Sequence, residues 1–269
     1  MTQLRALAVV AGGGAFPSLI AHTMKAGGTN VFVVHLEHDS DRFEGFDCMV
    51  ARPEQLSSVF TALRKRGIKD LVLIGRMKRP KLSELRPDWF TLKLIPMIAW
   101  QLLFGGDDAL LRAVRGMLEK QGFMLHGIHD LVSDLTAPVG TLGSVKPDDA
   151  QMVNIHLGIP EALRHGARDA GQAVVMRDGK VAGREDASGT DALIRSFAHA
   201  NKAILVKMAK PQQDRALDLP TIGPDTVRLC AESGFAGIAV EAGATLIADR
   251  DRTIQLADQH GLFLIGVKA

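Results

Sequence analysis

Residues that could handle phosphate are concentrated in one short segment, "VKMAKPQQDRALDLPTIGPDTV" at residues 206–227. It combines three cations, three aspartates and three prolines, and so many prolines prevent it from being one helix. The cations are Lys207, Lys210 and Arg215. Cations that offset developing negative charge, together with carboxylates, are what phosphoryl transfer or pyrophosphate hydrolysis requires. We therefore predict a phosphate-and-metal site here, with these three cations as catalytic residues.

Asp225 lies in the "GPDT" part of this segment, where Pro224 predicts the first turn of a helix. A carboxylate in that position stays ionised, because the helix dipole and nearby amides favour its charged form. It is then a poor proton acceptor but a good ligand for Mg²⁺, a hard ion that prefers oxygen. We predict Asp225 as a catalytic residue and metal ligand and Thr226 as a substrate contact. The alternative, that Asp225 only interacts with the helix dipole, stays open.

A second predicted helix start lies at "EDASGTDALI", where Gly189, Thr190 and Asp191 follow one another. Capping accounts for these residue types, and contact with phosphate or metal would use the same geometry. We predict Gly189 and Thr190 as substrate-binding residues and Asp191 as a second metal ligand. Glu185, in the preceding turn, is expected to be a solvent-exposed carboxylate.

Two stretches in the first half could also hold phosphate. "VVAGGGAFP" places Gly12, Gly13 and Gly14 between an apolar strand and a helix, where backbone amides can approach an anion. "GRMKRPKLSELR" follows a later strand and is rich in cations, of which we predict Arg76, Lys78 and Arg79 as substrate-binding. The alternatives are a purely structural turn and a solvated loop, and the glycine spacing is not GxGxxG.

Short apolar runs alternate with helical patterns along the whole chain, which predicts an α/β fold. We expect two domains: a Rossmann-like N-terminal domain with a parallel sheet at 1–132, and a distinct α/β catalytic domain at 151–269. The intervening 133–150 is rich in Gly and Pro and is predicted to be a linker. In the second half, "QAVVMRDGKVAG" predicts a hairpin that turns at Asp178 and Gly179.

Composition excludes several classes of protein. The chain has 269 residues, 46% of them hydrophobic, and its net charge of +2 gives no reason to expect a nucleic-acid partner. Cys48 and Cys230 are isolated, which fits a reducing cytoplasm. We see no secretory signal, and the apolar run at 89–104 is interrupted by Lys93 and Pro96, so no membrane-spanning helix is expected.

Several motifs occur in an order that resembles one known family: "AGGGAFP", "GRMKRP", "GDDALLR", "GTDALI", "LVKMAKPQQDRALDLPTIGPDTV" and "GIAVEAG". The chain is similar over essentially its whole length to LpxI-type UDP-2,3-diacylglucosamine pyrophosphatases of lipid A biosynthesis. The segment at 206–227 is the most specific part of the resemblance. The essential aspartate of that family's "GPDT" motif corresponds to Asp225.

The resemblance implies a hydrolase that cleaves UDP-2,3-diacylglucosamine into UMP and 2,3-diacylglucosamine 1-phosphate (lipid X) with a divalent cation, Mg²⁺ or Mn²⁺. It implies water attack on the sugar-side phosphorus, a ligand held between two domains, and a cytoplasmic enzyme peripherally associated with the inner membrane of Gram-negative bacteria. The apolar run at 89–104 would then help to hold the acyl chains. A homodimer is left open.

One residue departs from the family pattern. Many relatives have an acidic residue before the "GTD" glycine, where this chain has Ser188. That places a metal scheme with a carboxylate there in doubt, although Glu185 and Asp191 remain available. Two other functions stay open: a non-catalytic carrier of the same nucleotide-linked glycolipid, and a nicotinamide-dependent oxidoreductase, suggested only by the glycine-rich turn.

Overall fold

The computed structural model describes residues 4–14, 16–36, 43–75, 86–94, 96, 106–197, 199 and 202–269. The chain divides into two compact units, Met1–Val132 and Ser133–Ala269. Each unit has its own sheet, and each is described by itself.

The first unit is built on a five-stranded sheet in the order β3-β2-β1-β4-β5, in which every pair of neighbours is parallel. This is the order of the first five strands in the common doubly wound sheet. The strands are β1 (Ala6–Ala11), β2 (Asn30–His35), β3 (Asp47–Val50), β4 (Asp70–Ile74) and β5 (Met124–Leu125). The central strands are nearly continuous apolar runs, because helices cover both faces of a parallel sheet.

The helices of this unit are α1 (Phe16–Ala26), α2 (Leu56–Lys65), α3 (Gly106–Lys120) and the short α4 (Ile128–Leu131). Burial follows the helical period: α2, for example, buries Val59, Phe60 and Leu63. Residues 89–94 are also helical. The rest of the apolar run at 89–104 lies almost wholly outside the described residues.

The second unit contains a mixed six-stranded sheet in the order β6-β13-β11-β9-β7-β8. Its strands are β6 (Gly140–Leu142), β7 (Ala173–Arg177), β8 (Lys180–Arg184), β9 (Ile204–Lys207), β11 (Gly237–Glu241) and β13 (Phe263–Val267). β10 (Thr221–Ile222) and β12 (Leu246–Ile247) form a separate parallel pair. The helices are α5 (Asp149–Ala167), α6 (Thr190–Arg195), α7 (Pro224–Glu232) and α8 (Arg250–Gln259), and a 3-10 turn spans Ser133–Leu135.

Residues 133–150, predicted to be a linker, belong to the second unit. Gly140–Leu142 forms β6, which pairs antiparallel with β13 at the edge of the sheet, and Asp148 caps α5 by accepting from the backbone N–H of Gln151. The prediction missed this strand because three residues are too few to show a period of two, and β6 is recognisable only from its pairing with β13.

Most other element predictions match the structure, including the hairpin between β7 and β8, whose turn residues Asp178 and Gly179 both have positive φ. α6 begins at the predicted helix start and is short, ending at Arg195. β3 and β10 were not predicted. No helix in the described ranges combines the length and the apolar character needed to cross a bilayer.

Candidate functional site

The carboxyl edge of the second sheet gathers most of the predicted site residues. β9, β11 and β13 are mutually parallel, and β8 runs in the same direction because two antiparallel pairs separate it from β9. α6 follows β8, α7 comes after β9 and the short strand β10, and α8 comes after β11 and the short strand β12. The amino termini of three helices therefore lie at the edge where these strands end, which is where open α/β sheets bind ligands.

Lys207, the last residue of β9, is the best-defined cation at this edge. Only 6% of the residue is exposed. Its Nζ donates to Thr190 Oγ1 at 2.8 Å, and the Thr190 hydroxyl donates in turn to Glu185 Oε1 at 2.8 Å. The Thr190 hydroxyl uses one of the three N–H donors of the ammonium.

The electrostatics of this position come from burial and from three carboxylates. Burial lowers the pKa of Lys207 below the ordinary lysine range, and the attraction of Glu185, Asp191 and Asp218 opposes that effect only in part. A group that is costly to keep charged and has several acids around it is characteristic of functional sites.

The two faces of the sheet divide the predicted cations. Leu205 and Val240 pack in the cluster formed with α6 and α7, whereas Val206 and Ala239 pack with α5. Side chains alternate along a strand, so Lys207 belongs to the α6 and α7 face.

Arg215 and Lys210 lie with the opposite face, the one that α5 covers. Arg215 Nη2 donates to Glu241 Oε1 at 2.9 Å, and the buried Glu241 also accepts from the backbone N–H of Ala209. Lys210 Nζ donates to Asp169, just beyond α5, at 2.5 Å. The predicted catalytic cations therefore do not form one cluster.

α7 begins as the sequence predicts. Gly223 is its N-cap residue, Pro224 is in the first turn and Asp225 is the acidic residue of that turn. The Asp225 carboxylate is 89% exposed and accepts a short hydrogen bond from Arg228, one turn along the helix. Thr226 is half-buried beside it. The structure thus places Asp225 at a solvent-accessible helix start, and it does not bring that side chain into the Lys207–Thr190–Glu185 chain.

The second predicted metal ligand, Asp191, is an exposed residue in the first turn of α6. Within the described ranges, no three His, Cys, Asp or Glu side chains are grouped as a metal site. Mg²⁺ usually takes only one or two protein carboxylates and completes its shell with water and substrate phosphates. Two exposed first-turn carboxylates fit that mode of binding, and they do not form a preformed all-protein cage.

In the first unit, the three predicted glycines form the turn after β1. β1 and β4 are adjacent in the sheet. From β1 the chain continues to β2 on one side of this pair, and from β4 it continues to β5 on the other side, so the turn lies at the topological switch point. The Gly12 N–H donates to the Ile74 carbonyl at 2.8 Å and is therefore engaged within the fold. Gly14 has a φ of 106° and accordingly requires a glycine-like backbone. Arg76, Lys78 and Arg79 lie outside the described residues.

Gly75, directly after β4, holds this turn in place by close backbone contact. Its φ is 102°, and a Cβ there would lie 2.8 Å from both Gly12 C and Gly13 O. We expect Gly75→Ala to lower the free energy of unfolding by about 2 kcal/mol, because the new methyl group meets backbone and the conformation disfavours L-residues. Chemical denaturation would measure this. Gly67→Ala, at a positive φ of 65° with open space around the position, is the matched control for backbone strain alone. Equal losses in the two variants would show that the close contact is unimportant.

Sequence reasoning missed the environment of Glu185. It was expected in solvent, but it is 7% exposed and both of its carboxylate oxygens accept hydrogen bonds, from Thr190 Oγ1 and from the backbone N–H of Gln172. The only local signal is its place directly after β8, where a side chain can turn back towards the sheet edge.

Comparison with known proteins agrees with this architecture. Residues 6–135 match the LpxI N-terminal domain and residues 138–265 match the LpxI C-terminal domain. The chain belongs to the LpxI family. It is 37% identical over 278 residues to "UDP-2,3-diacylglucosamine pyrophosphatase LpxI" of Caulobacter vibrioides, and the match covers 98% of each chain. The boundary between the two LpxI domains falls close to the division between the two compact units, after Val132.

Proposed function

We propose that this LpxI-family chain hydrolyses the pyrophosphate bond of UDP-2,3-diacylglucosamine, releasing UMP and 2,3-diacylglucosamine 1-phosphate. The substrate is taken from the name of the Caulobacter relative, which matches nearly the whole chain. The observation that carries the chemistry is the buried Lys207 ammonium at the carboxyl edge of the second sheet, next to the start of α6. A cation in such a dry position stabilises charge on a phosphate more strongly than one in water does.

In this proposal, four residues of the second unit have separate roles. Lys207 offsets negative charge that develops on the pyrophosphate. Arg215, half exposed and held through one nitrogen by Glu241, retains N–H donors for a second phosphate oxygen. Asp225 orients the attacking water from the exposed start of α7. Lys210, which pairs with Asp169, adds positive charge at the same carboxyl edge; it and Arg215 act from the α5 face, opposite Lys207.

Water attack on the sugar-side phosphorus gives a balanced reaction. A bond forms between the water oxygen and that phosphorus, and the bond from the same phosphorus to the bridging oxygen breaks. UMP leaves with the bridging oxygen, and the water oxygen remains in 2,3-diacylglucosamine 1-phosphate. In H₂¹⁸O, the label is accordingly expected in the lipid phosphate; label in UMP would instead indicate attack on the uridine-side phosphorus.

We include a divalent cation, Mg²⁺ or Mn²⁺, in the proposal, with Asp225 and Asp191 as its protein ligands. Both are exposed carboxylates in first turns, and neither is buried against apolar groups. When bound, the cation would neutralise pyrophosphate charge.

A substrate with two acyl chains resides in a membrane, so we further propose that the enzyme works at the cytoplasmic surface of the inner membrane. At the start of the apolar run at 89–104, Trp89 is 72% exposed and Leu92 is 45% exposed, which supports contact with acyl chains or lipid. That two copies of the chain associate stays a prediction.

The direct test is incubation of purified protein with UDP-2,3-diacylglucosamine dispersed in detergent, with Mg²⁺. We expect UMP and the lipid phosphate to appear in equal amounts. In excess EDTA, turnover should fall to background and return when Mg²⁺ or Mn²⁺ is added beyond the chelator. Turnover that persists in EDTA would remove the metal from the proposal, and binding of the substrate with no UMP released would favour a carrier instead of a hydrolase.

A further inference from the structure

A buried carboxylate lies behind the Lys207 site without contacting it directly. Glu185 Oε1 accepts from the Thr190 hydroxyl, and Oε2 accepts from the backbone N–H of Gln172 at 2.8 Å. Both oxygens are therefore used inside the fold. A buried acid with this arrangement has a defined orientation.

The backbone of Glu185 is held as firmly as its side chain. Its N–H donates to the Ala173 carbonyl at 3.0 Å, and its carbonyl accepts from His165 Nε2 of α5 at 2.6 Å. Gly171 packs directly beneath it, since a Cβ at that position would lie 2.8 Å from the Glu185 Cβ. β7, α5 and the start of α6 thus all contact one residue, Glu185.

The Thr190 hydroxyl takes its direction from this acid. Because its one hydrogen points to Glu185, a lone pair is left to accept from Lys207 Nζ. A lysine side chain has many rotamers and presents its charge as a point, so an acceptor at a set position is needed to hold the ammonium in one place.

The hydroxyl placed between the two charges also matters for binding. In the described part of the chain, the Lys207 ammonium makes one hydrogen bond, to Thr190, and its other two N–H groups are left for a ligand. A direct, bidentate pair with Glu185 would instead use those donors. The arrangement holds the cation without blocking it.

From this geometry we infer that Glu185 is a positioning residue: through the Thr190 hydroxyl it holds the Lys207 ammonium in place for the pyrophosphate of the substrate. The inference rests on the proposed function. Thr190 then acts as the connecting group, with its hydroxyl committed to Glu185 and Lys207.

The test uses two variants that keep the shape of the site. Thr190→Val removes the hydroxyl, and Glu185→Gln leaves one acceptor oxygen for two donors. We expect each to lower kcat by about 10- to 100-fold, with a smaller change in KM, because a misplaced catalytic group weakens the transition state more than the ground state. Thr190→Ser retains the hydroxyl and should restore kcat to within a few-fold of wild type.

Glu161→Gln is the matched control for Glu185→Gln. Glu161 lies on α5 and pairs with Arg164 and Arg184, away from Lys207. It should leave kcat and KM unchanged. Thermal unfolding of each variant separates loss of fold from loss of positioning, and Thr190→Val keeps the test valid if Glu185→Gln unfolds.

The possible outcomes distinguish failure of the proposed hydrolase function from failure of the positioning role of Glu185. No UMP from the wild-type protein would overturn the proposed function, and this inference with it. Wild-type turnover with Thr190→Val as active as Glu161→Gln would overturn the inference alone. A loss of kcat in Thr190→Val that Thr190→Ser fails to restore would also overturn it, because the hydroxyl would then not be the group that matters.

Discussion

Lys207→Met is expected to lower kcat/KM for UDP-2,3-diacylglucosamine hydrolysis by about 10²- to 10³-fold, the loss typical when one preorganised charge or donor is removed from a reacting centre. The effect should be large because the ammonium is buried, where its interaction with a phosphate is least screened. Methionine retains most of the apolar stem that packs at the end of β9. Burial already disfavours the charged form of Lys207, as its lowered pKa indicates. We therefore expect the substitution to lower turnover strongly and to change the unfolding temperature little.

Lys180→Met is the control for this substitution. Lys180 is an exposed residue at the start of β8. It therefore lies where β8 and β9 begin, whereas Lys207 lies where β9 ends. Its variant should have wild-type kinetics. Lys207→Arg tests whether charge alone suffices, and a partial recovery is expected because guanidinium does not match the single Thr190 acceptor. Wild-type kcat/KM in Lys207→Met would place the phosphate site elsewhere.

Asp225→Ala is expected to abolish most turnover, by about 10²- to 10³-fold in kcat, with little effect on stability. The side chain is 89% exposed, and its hydrogen bond to Arg228 is a surface ion pair of the kind that contributes little to folding. A large kinetic loss without a loss of fold would therefore report on function. Steady-state kinetics and thermal unfolding on the same preparations measure both.

Two variants on the same helix serve as controls for Asp225→Ala. Glu232→Ala removes an exposed carboxylate from the other end of α7 and should not affect turnover. Arg228→Ala removes the ion-pair partner of Asp225. This variant should retain most activity if the ion pair takes no part in the reaction. Near-normal activity in Asp225→Ala would show that this carboxylate merely interacts with the helix dipole.

Asp218→Ala should lower kcat less than Asp225→Ala does. The reverse ranking would move the proposed metal site.

The α/β class and most of the elements could be predicted because their signals are local. Buried strands such as β1, β2 and β9 are short apolar runs, and α7 has a proline and an aspartate in its first turn. The pairing of neighbouring parallel strands follows from their alternation with helices. β6 and β10 were missed because they exist only through pairing with strands distant in the sequence.

For the candidate site, residue types and spacing indicated phosphate chemistry around Lys207 and a carboxylate at the head of α7. They could not show that Lys207 lies on one face of the sheet while Arg215 and Lys210 lie with the other. They also could not show that Glu185 is buried. Those facts depend on strand register and on contacts between residues that are distant in the sequence, such as Lys210 and Asp169, which are 41 positions apart. Residue types and their order identify the groups that could do the chemistry, because propensity and charge are properties of neighbouring residues. Which of these groups meet follows from the folded chain alone, because burial and hydrogen bonding depend on packing between distant segments.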